Sequence, residues 1–235
     1  MAKITIVLHD LRGGGAEKMM VRLANQLVKD GDSVDMILIT KGGSNKPFLN
    51  SSVNLIELEC HRTLAAFKPL RRTLKQINPD AILAALTHIN VITALTCASL
   101  GFSKRLTVSE RNAFSLDKKV NNNAVMKLMY LLAPFIYRLL PNPIIAVSKG
   151  VAKDLVDTTV VTENDVVTAP NPVITQETER ALLKDATHPW LVNKTSKTIV
   201  AVGRLAHQKG LDMLLEAFAE VRSAHDARLI IFGEG

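Results

Sequence analysis

TIVAVGRLAHQKGLDMLLEAF, running from Thr198 to Phe218, reads as a strand, a short basic loop and a helix. Ile199, Val200 and Val202 lead into Gly203-Arg204. Lys209-Gly210 then open an apolar series at Leu211, Leu214, Leu215 and Phe218, spaced as one face of a helix. An Arg just after a strand and a Lys at the mouth of the next helix set two cations beside a helix N-terminus. That terminus already offers unpaired N–H groups and a partial positive charge. A phosphate or diphosphate suits such a place, since Arg grips it through a planar fork and Lys serves as a mobile point charge. Taken alone, the same loop also fits cations that merely face water.

Upstream the strand-and-helix rhythm repeats. Strands are expected at 3–9, 33–39, 53–58, 81–86, 105–108 and 144–147. Helices are expected at 16–29, 64–77, 90–100, 124–140 and from Ser148 onward. Aliphatic strands in serial βα units predict an α/β fold with a doubly wound parallel sheet, because right-handed crossovers leave few alternatives. The prolines of Pro170-Asn171-Pro172-Val173 and the polar run 175–196 interrupt the rhythm. The expected organisation is therefore a complete Rossmann-like domain at 1–169, a linker at 170–196 and the first βαβ of a second domain at 197–235. That second domain reads as cut short, and a chain ending there is expected to lack useful activity because two strands and a helix leave their apolar faces uncovered.

The composition narrows the partners. The 235 residues carry a formal net charge of +7 with only 4% aromatics, which predicts an anionic partner: a phosphorylated substrate or a membrane surface. Nucleic acid is disfavoured, since two Tyr and one Trp are too few for base stacking and no nucleic-acid-binding signature appears. Cys60 and Cys97 are isolated, which fits a reducing cytoplasm. The N-terminus lacks a signal peptide's apolar run, no stretch is long enough to span a bilayer, and the six His lack metal-ligand spacing.

Several residues outside the basic loop suit a site. Gly13-Gly14-Gly15 sit between the first strand and its helix, where bare backbone can approach a ligand that a Cβ would exclude; a turn needing positive φ is the plainer reading. The run is not GxGxxG, and Ile39-Thr40 supplies no acid for a ribose, so a nicotinamide site is not expected. His88 follows a strand end, on the side where doubly wound sheets place ligands.

Four segments in order, GGGAEK (13–18), AVSKGVAKDL (146–155), PNPV (170–173) and VGRLAHQKGLDMLLEAF (202–218), resemble the retaining glycosyltransferases of family four, which have the GT-B architecture. The resemblance implies two facing Rossmann-like domains, a nucleotide-sugar donor held mainly by the second, and a glycan or lipid-linked acceptor held mainly by the first. It implies no cofactor and no metal, the nucleotide sugar being a substrate. Arg204 and Lys209 match the family's cations for the donor diphosphate and are the expected catalytic pair. Gly14 and Gly15, with Gly13 and Glu17 beside them, match its glycine loop; His88, Glu110 and Arg111 complete the expected donor and acceptor contacts. Two departures stand out. Ser109-Glu110-Arg111-Asn112 stand where many relatives carry a His, so that Glu110 or Arg111 is expected either to touch donor or acceptor sugar or to form a local ion pair, and the family's paired glutamates fall beyond this sequence, Glu234 not being one of them.

A basic surface completes the reading. Arg62, Lys68, Arg71, Arg72 and Lys75 share a segment without an acid, and Met126 to Leu132 is strongly apolar. With a family that often modifies lipid-linked acceptors, this predicts a cytoplasmic protein attached peripherally to anionic lipid on the inner face of the plasma membrane. Polysaccharide, lipopolysaccharide or glycan assembly is the expected setting. The rival readings are a sugar-nucleotide epimerase of the same architecture, which needs acidic catalytic residues in its cleft, and a non-catalytic remnant or binding module.

Overall fold

Alternating apolar strands and amphipathic helices build an all-parallel sheet over the first part of the chain. The computed structural model describes residues 1–121, 123–193 and 195–233, with Gln176, Glu177 and Gln208 described by backbone alone; Glu234 lies outside them. These residues divide into two units, Met1–Val173 and Ile174–Gly235.

In the first unit, β1 (Lys3–Leu8), β2 (Ser33–Leu38), β3 (Asn54–Glu57), β4 (Ala81–Ala85), β5 (Leu106–Glu110), β6 (Ile144–Ala146) and β7 (Val166–Thr168) form one seven-stranded sheet in the order β3-β2-β1-β4-β5-β6-β7. Every pair is parallel; Ile6 faces Met36 on one side and Leu83 on the other. Side chains alternate across the pleat, so the strands feed two cores. Ile6 and Leu8 pack with Met20, Val21 and Ala24 of α1 (Gly15–Lys29). Val7 and Ile37 belong to the other core, with Leu70 and Leu74 of α2 (Phe67–Ile77), Ile89 of α3 (Thr87–Leu100) and Tyr137 of α5 (Ala124–Arg138). The middle helix of this layer, α3, packs against both α2 and α5 and is buried along most of its length.

Three local differences from the sequence reading have physical causes. The helix expected from Leu64 opens as a 3-10 turn over Thr63–Ala66, and α2 begins at Phe67; Pro69 then falls in the first turn, where its missing N–H costs nothing. Two elements carry no legible apolar period and were not expected: α4 (Phe114–Val120), with only Phe114 buried, and the three-residue edge strand β7. The first unit runs to Val173 rather than stopping at 169. Arg111 Nη2 donates to Asn171 Oδ1 at 2.6 Å and Arg22 Nη1 to the Val173 carbonyl at 3.2 Å, fastening the PNPV segment to it. α6 (Lys149–Thr158) is capped by Ser148, whose hydroxyl accepts from Val151 N.

In the second unit, the polar run carries α7 (Gln176–Leu182), whose Thr175 cap accepts from Thr178 N, and α8 (Pro189–Val192). Then β8 (Lys197–Val202), α9 (Leu211–Ala224) and β9 (Ala227–Phe232) follow, the two strands paired parallel.

Candidate functional site

The sheet order of the first unit reverses between β1 and β4: β2 and β3 lie to one side of β1, and β4 to β7 to the other. Ligands of open α/β sheets gather beyond the C-terminal strand ends at such a point. Here the residues that follow those two strands meet. The rings of His9 and His88 stand 5.2 Å apart, edge to face at 70°. Burial pushes the His88 imidazole down to about 4, helped by His9 and opposed by Asp10. It lowers His9 as well, against the Asp10 charge. Both rings are therefore neutral near pH 7, and His9 Nδ1 is buried without a hydrogen-bond partner among the described residues. Leu86, at the bend from β4 into α3, has φ +81°, a conformation that side chains rarely adopt. Such strain costs about 1–3 kcal/mol and persists where the surroundings fix it; here the bend carries Thr87 and His88 over the sheet edge.

The glycine loop lies beside this pair. Asp10 is buried, accepts from Arg12 N at 3.0 Å and pairs with Arg12 Nε at 2.6 Å. The loop is braced from behind: Leu11 N donates to the Gly42 carbonyl at 3.0 Å, and Asn45 Nδ2 to the Arg12 carbonyl at 2.5 Å. Gly43, at φ +127°, is required there, since a Cβ on it would stand 2.0 Å from the Leu11 carbonyl carbon. By contrast none of Gly13, Gly14 and Gly15 takes a left-handed φ, so the turn itself does not demand them. A Cβ on Gly15 would meet nothing within 4 Å. A Cβ on Gly14 would stand 2.1 Å from the Glu17 carboxylate, so glycine there lets Glu17 lie close against the loop, while Gly15 leaves open backbone at the start of α1.

The structure separates Glu110 from Arg111. Glu110 is 2% exposed and accepts hydrogen bonds from Thr87 Oγ1 at 3.0 Å, Asn90 Nδ2 at 3.2 Å and the Tyr137 hydroxyl. Burial raises its carboxyl to about 7 in spite of those three donors. The partners of Glu110 are two hydroxyls and an amide, so a local ion pair with Arg111 is not what forms. Arg111 instead turns to Asn171, with the charge of Glu17 opposing the effect of its burial. His88, Glu110 and Arg111 do share the wall of a 170 Å3 pocket with Thr87, Asn112, Asp117, Asn121, Met126 and Tyr130. Tyr130 donates to Asp117 at 3.3 Å across it. This polar chamber has both donors and acceptors suited to hydroxyl groups.

In the second unit, Arg204 and Lys209 stand at the C-terminal end of β8. Arg204 follows the strand by two residues, and Lys209 closes a 3-10 turn just before Gly210, which takes φ +58° as the cap of α9. Both are exposed, and neither makes an ion pair or a side-chain hydrogen bond among the described residues. A Cβ on Gly203 would meet the Lys209 stem at 3.5 Å, so glycine leaves room for that chain to lie along the strand end. The nearby His207 approaches Asp212 at 4.0 Å.

Of the expected site residues, the structure thus gathers Gly13, Gly14, Gly15, Glu17, Arg111, His88 and Glu110 along the C-terminal edge of one sheet, and Arg204 and Lys209 at that of another. The sequence reading missed His9, Asp10, Gly43, Asn45, Asp117, Asn121 and Asn171. His9 and Asp10 carried the signal that flagged His88, namely a polar residue just past a strand. Gly43 and Asn45 follow β2 in KGGSN but act through a neighbouring loop, which no local pattern reveals.

Comparison with known proteins decides the family. Residues 13–177 match the family model described as Glycosyltransferase Family 4, and residues 185–235 match that of Glycosyl transferases group 1. The chain belongs to glycosyltransferase family 4. Over 124 residues it is 30% identical to the GalNAc-alpha-(1->4)-GalNAc-alpha-(1->3)-diNAcBac-PP-undecaprenol alpha-1,4-N-acetyl-D-galactosaminyltransferase of Campylobacter jejuni, a match spanning 48% of this chain and 33% of that enzyme. Among solved structures, the apo lipopolysaccharide outer core galactosyltransferase WaaB aligns with TM-score 0.60 at 17% identity, over 99% of this chain and 61% of that one. Anabaena HepE in complex with UDP aligns with TM-score 0.67 at 15% identity, over 98% and 69%. A putative UDP-N-acetylglucosamine 2-epimerase from Listeria monocytogenes aligns with TM-score 0.62 at 14% identity, over 98% and 62%. These likenesses establish a GT-B fold, which transferases and epimerases share. The chain spans a third of the curated relative's length and about six-tenths of the first solved structure's.

Proposed function

We propose that the protein carrying this chain transfers a sugar, with retention, from a nucleotide-sugar donor to a lipid-linked glycan acceptor at a membrane surface. The observation that carries the proposal is the loop after β8, where two exposed cations, without acidic partners among the described residues, precede the start of a helix in a family 4 chain. Glycosyl transfer releases a nucleoside diphosphate whose negative charge grows as the glycosidic bond breaks. Arg204 and Lys209, fixed beside the N-terminus of α9, would meet that growing charge and so favour the transition state over the ground state. A UDP complex of a structural neighbour and the undecaprenyl diphosphate in the name of the Campylobacter relative support the donor and acceptor classes. Same-face attack, with the departing phosphate taking the acceptor proton, requires no separate protein base, which fits two site histidines held neutral.

The test is a panel of nucleotide sugars offered with and without a polyprenyl-diphosphate-linked glycan. Label should appear in the lipid fraction only when both substrates are present. Epimerised nucleotide sugar formed without any acceptor would instead establish the epimerase reading.

Membrane attachment rests on the outer surface of the α2–α3–α5 layer. Neither α2 nor α5 contains an acidic residue. Arg71, Arg72 and Lys75 are exposed on α2, while Leu128, Leu131, Leu132, Phe135 and Leu139 are exposed along α5. No helix among the described residues is long and apolar enough to cross a membrane. Liposomes containing anionic lipid should sediment the protein at low salt. Reversing Arg71, Arg72 and Lys75 to Glu should abolish most of that, since each cation near such a surface contributes about 1 kcal/mol. Sedimentation indifferent to salt and to the triple reversal would remove this part of the proposal.

A further inference from the structure

Beside the polar chamber lies a larger cavity of 520 Å3, lined by His9, His61, Arg62, Thr63, Leu64, Ala65, Asn123, Val125 and Met126. Its walls differ in kind from the chamber's. Leu64, Ala65, Val125 and Met126 are apolar, no carboxylate among the described residues lines it, and its basic side chains are His9 on the inner wall and His61 and Arg62, both exposed. Asn123 caps α5 there, accepting from Val125 N and Met126 N, so the positive end of a fifteen-residue helix also faces the cavity. The two spaces adjoin. Met126 lines both, and His9 of the larger cavity touches His88 of the polar chamber through their ring contact.

The far end of the cavity leads to a surface with the same chemistry. Leu64 and Val125 are 48% and 40% exposed, and Val125 begins a stripe that continues along α5 through Leu128, Leu132 and Leu139, all exposed. Their spacing keeps them on one helix face. Read from the sheet edge outward, the order is therefore a chamber of hydroxyl-binding groups, a pair of neutral imidazoles, an apolar cavity with cations at the rim, and an exposed apolar ridge.

We infer that the two cavities form one trough for an amphiphilic acceptor: a glycan end in the chamber lined by Asn112, Asp117, Asn121 and Tyr130, a diphosphate at Arg62 and His61, and the first isoprenoid units against Leu64 and Val125. Only an amphiphile with an anionic junction satisfies all three zones at once. A free glycan leaves the apolar cavity empty, and a simple fatty chain leaves the cations and the polar chamber unmatched. The inference deepens the proposed transferase reading, on which its acceptor class rests, by assigning that acceptor a place and named contacts.

The experiment uses farnesyl diphosphate, which carries the junction and the chain but no sugar, titrated into the full chain by calorimetry, with inorganic diphosphate and farnesol as partial probes. Farnesyl diphosphate should bind more tightly than either part. Arg62→Glu should weaken it on the order of tenfold or more, as expected for losing a charged hydrogen-bond partner, and Val125→Asp should weaken it comparably. Both positions are exposed, so the variants should fold, and unchanged circular dichroism checks this. Equal affinity in wild type and both variants overturns the trough. So does displacement of the probe by a nucleoside diphosphate, which would place it at the cations of the second unit. The two readings fail separately in the protein that carries this chain: sugar transfer to a lipid-linked acceptor that ignores both substitutions leaves the transferase and removes the trough, whereas substitution-sensitive probe binding by a protein that epimerises nucleotide sugar and transfers none leaves the trough and removes the transferase.

Discussion

Two βαβ segments of this chain are alike in sequence pattern and unlike in burial. The segment β1–α1–β2 and the segment β8–α9–β9 each join aliphatic parallel strands through an amphipathic helix. In the first, the final four residues of β1 are buried, five of the six residues of β2 are buried, and α1 buries Met19, Met20, Val21 and Ala24. In the second, no residue of β8 or α9 is buried, and β9 buries only Ala227 and Ile230. An aliphatic strand is stabilised by what covers its two faces and edges, which the strand itself does not supply. Seven strands and two helical layers cover β1. In the second unit β9 is the one strand paired with β8 among the described residues.

Matched substitutions in the two segments break or sharpen this contrast most strongly. Ile37 of β2 is fully buried and Val200 of β8 is 45% exposed. Ile37→Ala should cost about 2–5 kcal/mol of unfolding free energy, as for other large-to-small core changes. Val200→Ala should stay within roughly 0.5 kcal/mol, as for surface positions. Urea denaturation followed by circular dichroism measures both, and equal costs would mean that the second unit is covered in solution.

A smaller effect tests how the first unit uses its buried carboxyl. Glu110 titrates at about 7 when folded, against an ordinary 4.5, so between those values the folded state holds a proton that the unfolded chain has released. Stability from this group is present at low pH and is lost as pH rises through that window. His88 acts in the opposite sense. Its folded value of about 4 lies below the ordinary 6.5, so its contribution is present above 6.5 and is lost as pH falls toward 4. The two slopes offset each other in the wild type. Glu110→Gln should remove the first and leave stability rising by about 2 kcal/mol from pH 4.5 to 7. Parallel profiles for wild type and variant would show that Glu110 is not buried as the structure has it.

Much of this architecture was legible because the signals were local. Strand and helix periods gave the βα order, and four motifs gave the family. What stayed hidden depends on contacts distant in sequence. The short strand β7 exists because Ile145 offers Val167 a partner, and VVT alone has no period to read. The PNPV segment looked like a free linker because Arg22 and Arg111, which hold it, lie 151 and 60 residues away. At the site, the residues just past β1, β4 and β5 were open to the strand-end rule, and His88 was found that way, while Glu110 and Arg111 were flagged by the family resemblance. The burial of Glu110 was not, since its partners Asn90 and Tyr137 belong to helices that only the fold brings over the sheet edge.

The proposed transferase reading divides labour between the two units: the loop after β8 would meet the donor's diphosphate, and the edge beyond β1, β4 and β5 would meet the acceptor. Steady-state transfer kinetics on Arg204→Ala and Lys209→Ala in the longer protein that carries this chain, with each substrate varied in turn, tests it most directly. The account predicts a fall of about a hundredfold in turnover, the usual effect of losing a preorganised transition-state donor, with the acceptor KM unchanged. Turnover near wild type in both variants, or a change confined to the acceptor KM, would contradict it.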